Sequence, residues 1–130
     1  MSKKKDHIDK IAKKYKLKLL LLFGSRADGS FYKSSDFDIA YYSEKDLSLM
    51  DEARMIVDLA PFIKSEDIDL VNMKKAPPLL LYAIFLKPKI LYVKVPFLFY
   101  NLRTYAFKKY VEAKPLFNEV SYRLSERFGK

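Results

Sequence analysis

The chain has 130 residues, half of them hydrophobic, and its 25 basic and 16 acidic side chains give a formal net charge of +9. This length predicts one domain over residues 1–130, with a single packed core and no separate substrate domain. Because the sequence has no cysteine and only one histidine, His7, it excludes disulfides and thiolate metal sites and argues against His-rich zinc sites and Ser/His/Asp triads.

The positive charge and the lack of a long apolar run bear on partners and location. No segment reaches membrane-spanning length, and Met1–Lys5 leads into a charged stretch, so we expect a cytoplasmic protein with no membrane partner. A basic chain can bind nucleic acid, but these lysines are spread along the sequence. We therefore favour a solvated, lysine-rich surface over direct nucleic-acid binding.

The first half of the chain predicts a helix followed by two strands. Apolar residues repeat at helical spacing over 6–16, which indicates an amphipathic helix. The nearly continuous apolar run over 17–23 is typical of a buried strand. After a polar connection over 24–35, acidic and aromatic residues alternate with apolar ones over 36–42, which predicts a second strand.

The second half predicts more helices and strands in alternation. A helix over about 46–60 should end at Pro61 and pack through an apolar stripe formed by Met50, Ala53, Val57 and Ala60. The remaining elements are a strand over 67–73, a helix over 77–86, a strand over 89–93 and a helical tail over about 96–128. Pro115 should kink or split that tail. We expect an α/β (α+β) fold with a core over about 6–93, in which helices flank a small mixed sheet of about four strands.

The most informative pattern of the sequence begins at Gly24-Ser25, directly after the first strand. Gly24 allows a tight turn and a close ligand, and Ser25 offers a backbone N–H and a hydroxyl to a phosphate oxygen. Arg26 adds a positive charge, and Gly29 adds a second flexible point. These residues predict a phosphate-binding turn, with a plain strand-ending turn as the alternative.

Ten residues further on, the sequence has Asp36 and Asp38, whose carboxylates share one face of a strand. Mg²⁺ prefers a few carboxylate oxygens and takes its other ligands from water and phosphates. Asp69 on the third strand would complete the set and help take a proton, although Asp67 shares its parity and is a rival. An exposed edge strand is the alternative, but charges inside apolar strands are costly unless paired or metal-bound. The pattern predicts a two-metal site for a nucleoside triphosphate.

These motifs resemble the signature of the DNA polymerase β-like nucleotidyltransferase superfamily and, in their spacing, its minimal nucleotidyltransferases, the MNT proteins. The resemblance covers about residues 17–92 and rests on Gly24–Gly29, Ser35–Ile39, Asp69–Val71, Ala76–Leu80 and Ile90–Tyr92. It implies a nucleotidyltransferase fold, ATP as substrate and Mg²⁺ held by Asp36, Asp38 and Asp69, with Gly24, Ser25, Arg26 and Gly29 binding the nucleotide. Two positions depart from the pattern, because Asp28 stands where a basic residue is usual and Asn72 replaces an acidic one.

The same resemblance implies a biological role. Many MNT proteins are antitoxins paired with a HEPN-domain ribonuclease toxin, and members of such pairs transfer AMP from ATP to a tyrosine hydroxyl of the toxin. We expect this activity here, with the partner docked on a tail region (92–128) that holds ten of the twenty aromatic residues. The alternatives are a non-catalytic antitoxin that acts by occlusion and a nucleotidyltransferase that modifies RNA 3′ ends or a small-molecule hydroxyl.

Overall fold

The computed structural model describes residues 3–24, 27 and 36–128. In chain order its elements are α1 (Lys3–Tyr15), β1 (Leu17–Phe23), β2 (Phe37–Ser43), α2 (Leu49–Ile63), β3 (Ile68–Asn72), a 3-10 turn (Met73–Lys75), α3 (Pro78–Leu86), β4 (Lys89–Val93) and α4 (Pro96–Phe128). The predicted four-stranded mixed sheet with flanking helices and a C-terminal helix is confirmed. None of the helices described combines the length and apolar character needed to cross a membrane.

The sheet has the strand order β3-β2-β1-β4. β1 pairs antiparallel with β2 and β4, whereas β2 pairs parallel with β3. Parallel neighbours need a long crossover connection, and the segment that contains α2 supplies it. β1 is an inner strand with helices on both faces, which explains why its sequence is almost continuously apolar.

Side chains of β1 alternate between two apolar clusters on opposite faces of the sheet. Leu20 and Leu22 belong to the cluster that α1 and α2 complete, whereas Leu19 and Leu21 belong to the cluster that α3 and α4 complete. The amphipathic pattern predicted for α1 is confirmed, since its buried residues are Ile8, Ile11, Ala12 and Tyr15.

Helix α2 begins with a capping box and ends later than predicted. The Ser48 side chain accepts a hydrogen bond from the Asp51 N–H at 3.0 Å, and the Asp51 carboxylate accepts one from the Ser48 N–H at 3.1 Å. The prediction that Pro61 ends the helix is wrong, because the helix continues to Ile63 and Lys64 caps it at φ 62°. Pro61 is tolerated because it lies in the last turn on a solvent-facing side, where the carbonyl it leaves unpaired can meet water.

The face of α2 that packs on the sheet also differs from the prediction. The predicted stripe is wrong because Met50, Ala53 and Val57 are exposed, whereas Met55 and Leu59 are fully buried. Apolar residues lie on two sides of this helix, so periodicity alone does not select the packed side. Tertiary contacts select it: Glu52, on the same side as Met55 and Leu59, accepts a hydrogen bond from the buried Tyr41 hydroxyl. Burial and this bond raise the pKa of Tyr41.

Helix α4 continues through Pro115, so the predicted split of the tail is wrong. A proline ring displaces the carbonyl four residues earlier, here that of Val111, and removes one backbone hydrogen bond. Both residues are exposed, so the freed carbonyl can hydrogen-bond to water. The helix therefore extends beyond the sheet as one element.

Candidate active site

The sheet brings predicted site residues from three strands side by side. Phe23, the last residue of β1, lies opposite Asp38 on β2, and Asp38 in turn lies opposite Asp69 on β3. Adjacent strands are about 4.8 Å apart. Gly24, Asp38 and Asp69, which are far apart in the sequence, therefore meet at one end of the sheet.

Gly24 is required at its position for two separate reasons. Its φ is +77°, in the left-handed region that glycine adopts without strain. A Cβ at this position would also lie 2.5 Å from Oδ2 of Asp38, a distance that real Cβ contacts essentially never show. The Gly24 carbonyl accepts a hydrogen bond from the Ala27 N–H at 3.1 Å, which closes a turn after β1. The sequence assigned Gly24 to a phosphate-binding turn, and its close contact with Asp38 adds a role that the motif did not indicate.

Asp38 is the most buried of the three predicted metal ligands, Asp36, Asp38 and Asp69. It is half-buried, whereas Asp36 and Asp69 are exposed. Burial raises the pKa of the Asp38 carboxyl, and the negative charges of Asp69 and Asp36 raise it further. A cation bound at this end of the sheet would offset all three effects.

The rival carboxylate, Asp67, lies outside β3. Asp67 is exposed and directly precedes β3. Its carbonyl accepts a hydrogen bond from the Phe37 N–H at 2.8 Å, and its N–H donates one to the Ser65 hydroxyl at 3.0 Å. Its charge is not among those that raise the pKa of Asp38, whereas that of Asp69 is. Asp69 is therefore the carboxylate of β3 that is electrostatically coupled to Asp38.

The carboxylates would supply only part of the coordination shell of a magnesium ion. Among residues 3–24, 27 and 36–128, no three Asp, Glu or His side chains form a group that could hold a metal ion. Burial and the neighbouring charges of Asp69 and Asp36 together raise the pKa of the Asp38 carboxyl. Mg²⁺ usually binds one or two carboxylates together with water and phosphates. An open group of hard oxygen donors therefore fits that ion.

The remaining predicted residues of the phosphate-binding turn are not described by the structure. Ser25, Arg26 and Gly29 lie outside the described residues. The same is true of Asp28, which stands where the family pattern usually has a basic residue. Their roles stay predictions. Gly24 and Ala27 show only that the backbone turns back directly after β1.

Comparison with protein families gives a match over most of the chain. The family described as polymerase beta, nucleotidyltransferase, matches residues 6–96. This range includes all four strands and every residue predicted to bind metal or nucleotide. The comparison with curated proteins gives no match.

Solved structures with a similar fold come from toxin–antitoxin complexes. A crystal structure of a toxin–antitoxin with AMP-PNP has a TM-score of 0.71 and 24% identity, covering 90% of this chain and 98% of that chain. A structure of tri-AMPylated Shewanella oneidensis HEPN toxin in complex with MNT antitoxin has a TM-score of 0.65 and 22% identity, covering 91% and 96%. A crystal structure of the toxin–antitoxin MntA-HepT has a TM-score of 0.66 and 22% identity, covering 91% of this chain and 97% of that chain. At these identities the likeness shows the fold.

Proposed function

Because the chain belongs to the polymerase β nucleotidyltransferase family, we propose that it transfers AMP from ATP to a tyrosine hydroxyl of a partner HEPN ribonuclease toxin and acts as the antitoxin. The observation that carries this proposal is the register that places Asp38 opposite Asp69, beside the Gly24 turn. Two similar structures support the choice of nucleotide and acceptor, since one contains AMP-PNP and another a tri-AMPylated HEPN toxin.

The proposed reaction is a displacement at the α-phosphorus of ATP. The tyrosine oxygen forms a bond to this phosphorus, the bond to the bridging oxygen of the β-phosphate breaks, and pyrophosphate leaves. Asp69 takes the hydroxyl proton and passes it to water. Asp36, Asp38 and Asp69 would hold Mg²⁺, which would neutralise phosphate charge and favour the ionised hydroxyl.

The turn after β1 is proposed to hold the triphosphate. Gly24 brings the backbone close to Asp38, so phosphate oxygens bound at the turn would lie beside the carboxylates. Ser25 would donate its N–H and hydroxyl, Arg26 would contribute a charge-assisted hydrogen bond, and Gly29 would allow close approach. This arrangement would present the α-phosphate to an acceptor on the open side of β3.

The acceptor is proposed to dock partly on α4. Large apolar side chains along this helix are more than half exposed: Phe97, Tyr100, Tyr105, Val111, Leu116 and Tyr122. Exposed aromatic residues are enriched in the centres of protein interfaces. The core does not need these side chains, since α4 reaches it through Phe99 and Ala106. Their exposed surfaces can therefore contact a protein partner.

The test is transfer from ATP labelled on the α-phosphate to a purified HEPN toxin. We expect label on a tyrosine with the native chain and Mg²⁺, and none with Asp38→Asn. Lys13→Glu, a change of an exposed residue on α1, is the control and should transfer normally. Inhibition of the ribonuclease without ATP, and equally by Asp38→Asn, would favour occlusion instead. Label on RNA 3′ ends rather than on protein would favour the third alternative.

A further inference from the structure

A pocket of about 440 Å³ lies on the face of the sheet that Asp38 shares, beyond the end of β3. Asp38, Ala40 and Tyr42 alternate with the residues that face α1 and α2, so they point to the same side. Tyr42 lines the pocket, and Met73, Leu81 and Phe85 contribute apolar surface. The pocket and the carboxylates are thus two features of one sheet face.

Strand β3 connects the two features. Asp69 and Asn72, the last residue of β3, are three residues apart, about 10 Å along an extended chain, and Met73 follows Asn72 directly. β3 is an edge strand of the sheet, and no other strand among the described residues pairs with its outer side. A polypeptide segment extended along this edge would therefore lead from the carboxylates to the pocket.

Two lysines at the pocket give it a positive rim. Lys74 Nζ lies 5.3 Å from the centroid of the Tyr42 ring, and Lys109 Nζ lies 5.6 Å from that of Tyr105. Lys109 also lies 3.5 Å from a Glu112 carboxylate oxygen, in an exposed ion pair that contributes little to stability. An apolar floor with lysines at its rim complements an apolar side chain next to an acidic one.

We propose that this pocket binds the acceptor protein, holding an apolar side chain with an acidic neighbour about four residues from the tyrosine that receives AMP. The inference rests on the proposed function and adds to it how the acceptor is selected. The occupant is a protein segment rather than nucleic acid, because the floor made by Met73, Leu81 and Phe85 is apolar. The net charge of +9 favours an acidic partner by long-range attraction.

The first test measures binding without nucleotide, using short fluorescent peptides that each contain one tyrosine. One set carries Leu-Asp four residues before or after the tyrosine, and matched sets carry Gly-Asp or Leu-Lys there. We expect one Leu-Asp peptide to bind about tenfold more tightly than its matched controls. Lys109→Glu or Tyr105→Ala should remove that difference, whereas Lys13→Glu, with the same charge change on α1 and outside the pocket, should retain it.

The second test measures AMP transfer to the same peptides. With Lys109→Glu we expect KM for the Leu-Asp peptide to rise about tenfold while kcat is retained, because only docking is weakened. Selective binding without any transfer would refute the proposed function and leave the pocket standing. Transfer with the same KM in native and Lys109→Glu proteins would overturn the inference, as would an equal effect of Lys13→Glu or preferential binding of a short RNA to the pocket.

Discussion

Replacing Gly24 with alanine should separate the chemical role of the turn after β1 from its role in stability. The left-handed φ of +77° costs an alanine about 1–2 kcal/mol. Loss of unfolded-chain entropy offsets about 0.4–1 kcal/mol of this. The new Cβ would also lie 2.5 Å from Oδ2 of Asp38. Because a carboxylate can rotate away at about 0.5–1.5 kcal/mol, we expect a net destabilisation of about 0.5–3 kcal/mol.

The rate of AMP transfer should fall strongly although the protein remains folded. Rotation of Asp38 moves its oxygens out of the position shared with Asp69, and a displacement of about 1 Å can reduce a rate by about 10²-fold. We therefore expect Gly24→Ala to lower kcat for AMP transfer by about this factor while the protein remains folded. The assays are labelled AMP transfer and urea unfolding of the same preparation.

A double-mutant cycle with Asp38→Ala is the control. Without the Asp38 carboxylate, the Cβ of an alanine at position 24 has no oxygen to displace. The loss in free energy of unfolding caused by Gly24→Ala should therefore be smaller by about 0.5–1.5 kcal/mol, which leaves only the cost of the left-handed backbone. Equal costs in both backgrounds would refute a close contact between the two residues. Normal activity of the folded Gly24→Ala protein would refute the role of Asp38 at this position.

Further predictions concern the carboxylates and α2. The folded-state pKa of Asp38 is raised above its ordinary value of 3.8. Its contribution to the free energy of unfolding is therefore present at low pH and is lost as the pH rises above 3.8. Asp38→Asn should remove this pH dependence of the free energy of unfolding, measured by chemical unfolding from pH 3 to 7. Asp69→Asn should bind ATP in calorimetry but lose AMP transfer, whereas Asp67→Asn should retain both, and the opposite pattern would contradict the pairing with Asp38. In urea unfolding, Met55→Ala should destabilise the fold by about 2–5 kcal/mol. The exposed Val57→Ala should destabilise it by less than about 0.5 kcal/mol, and equal losses would contradict the packing of α2.

The sequence predicted the sheet well because its strands carry strong local signals. β1 is buried on both sides and reads as one apolar run, and its predicted bounds match the observed ones. The first and last residues of β2 and β3 each lie one position from the predicted bounds. The grouping of Asp38 with Asp69 followed from strand parity together with the family resemblance, and the observed register pairs them.

What the sequence did not determine depends on contacts between distant elements. Helix α2 has apolar residues on two sides, and the choice of Met55 over Val57 for the core is made by the sheet and by the Tyr41–Glu52 hydrogen bond. The continuation of α2 through Pro61 depends on solvent reaching the unpaired carbonyl. The contact between Gly24 and Asp38 requires the antiparallel register of β1 and β2, which neither motif contains.

Mass spectrometry of a HEPN toxin incubated with this chain, ATP and Mg²⁺ tests the central claim most directly. We predict that one or more AMP groups appear on a toxin tyrosine with the native chain and that none appear with Asp38→Asn. The unmodified mass of the toxin after incubation with native chain that binds ATP would contradict the claim. Equal modification by the native and Asp38→Asn proteins would contradict the role of the carboxylates.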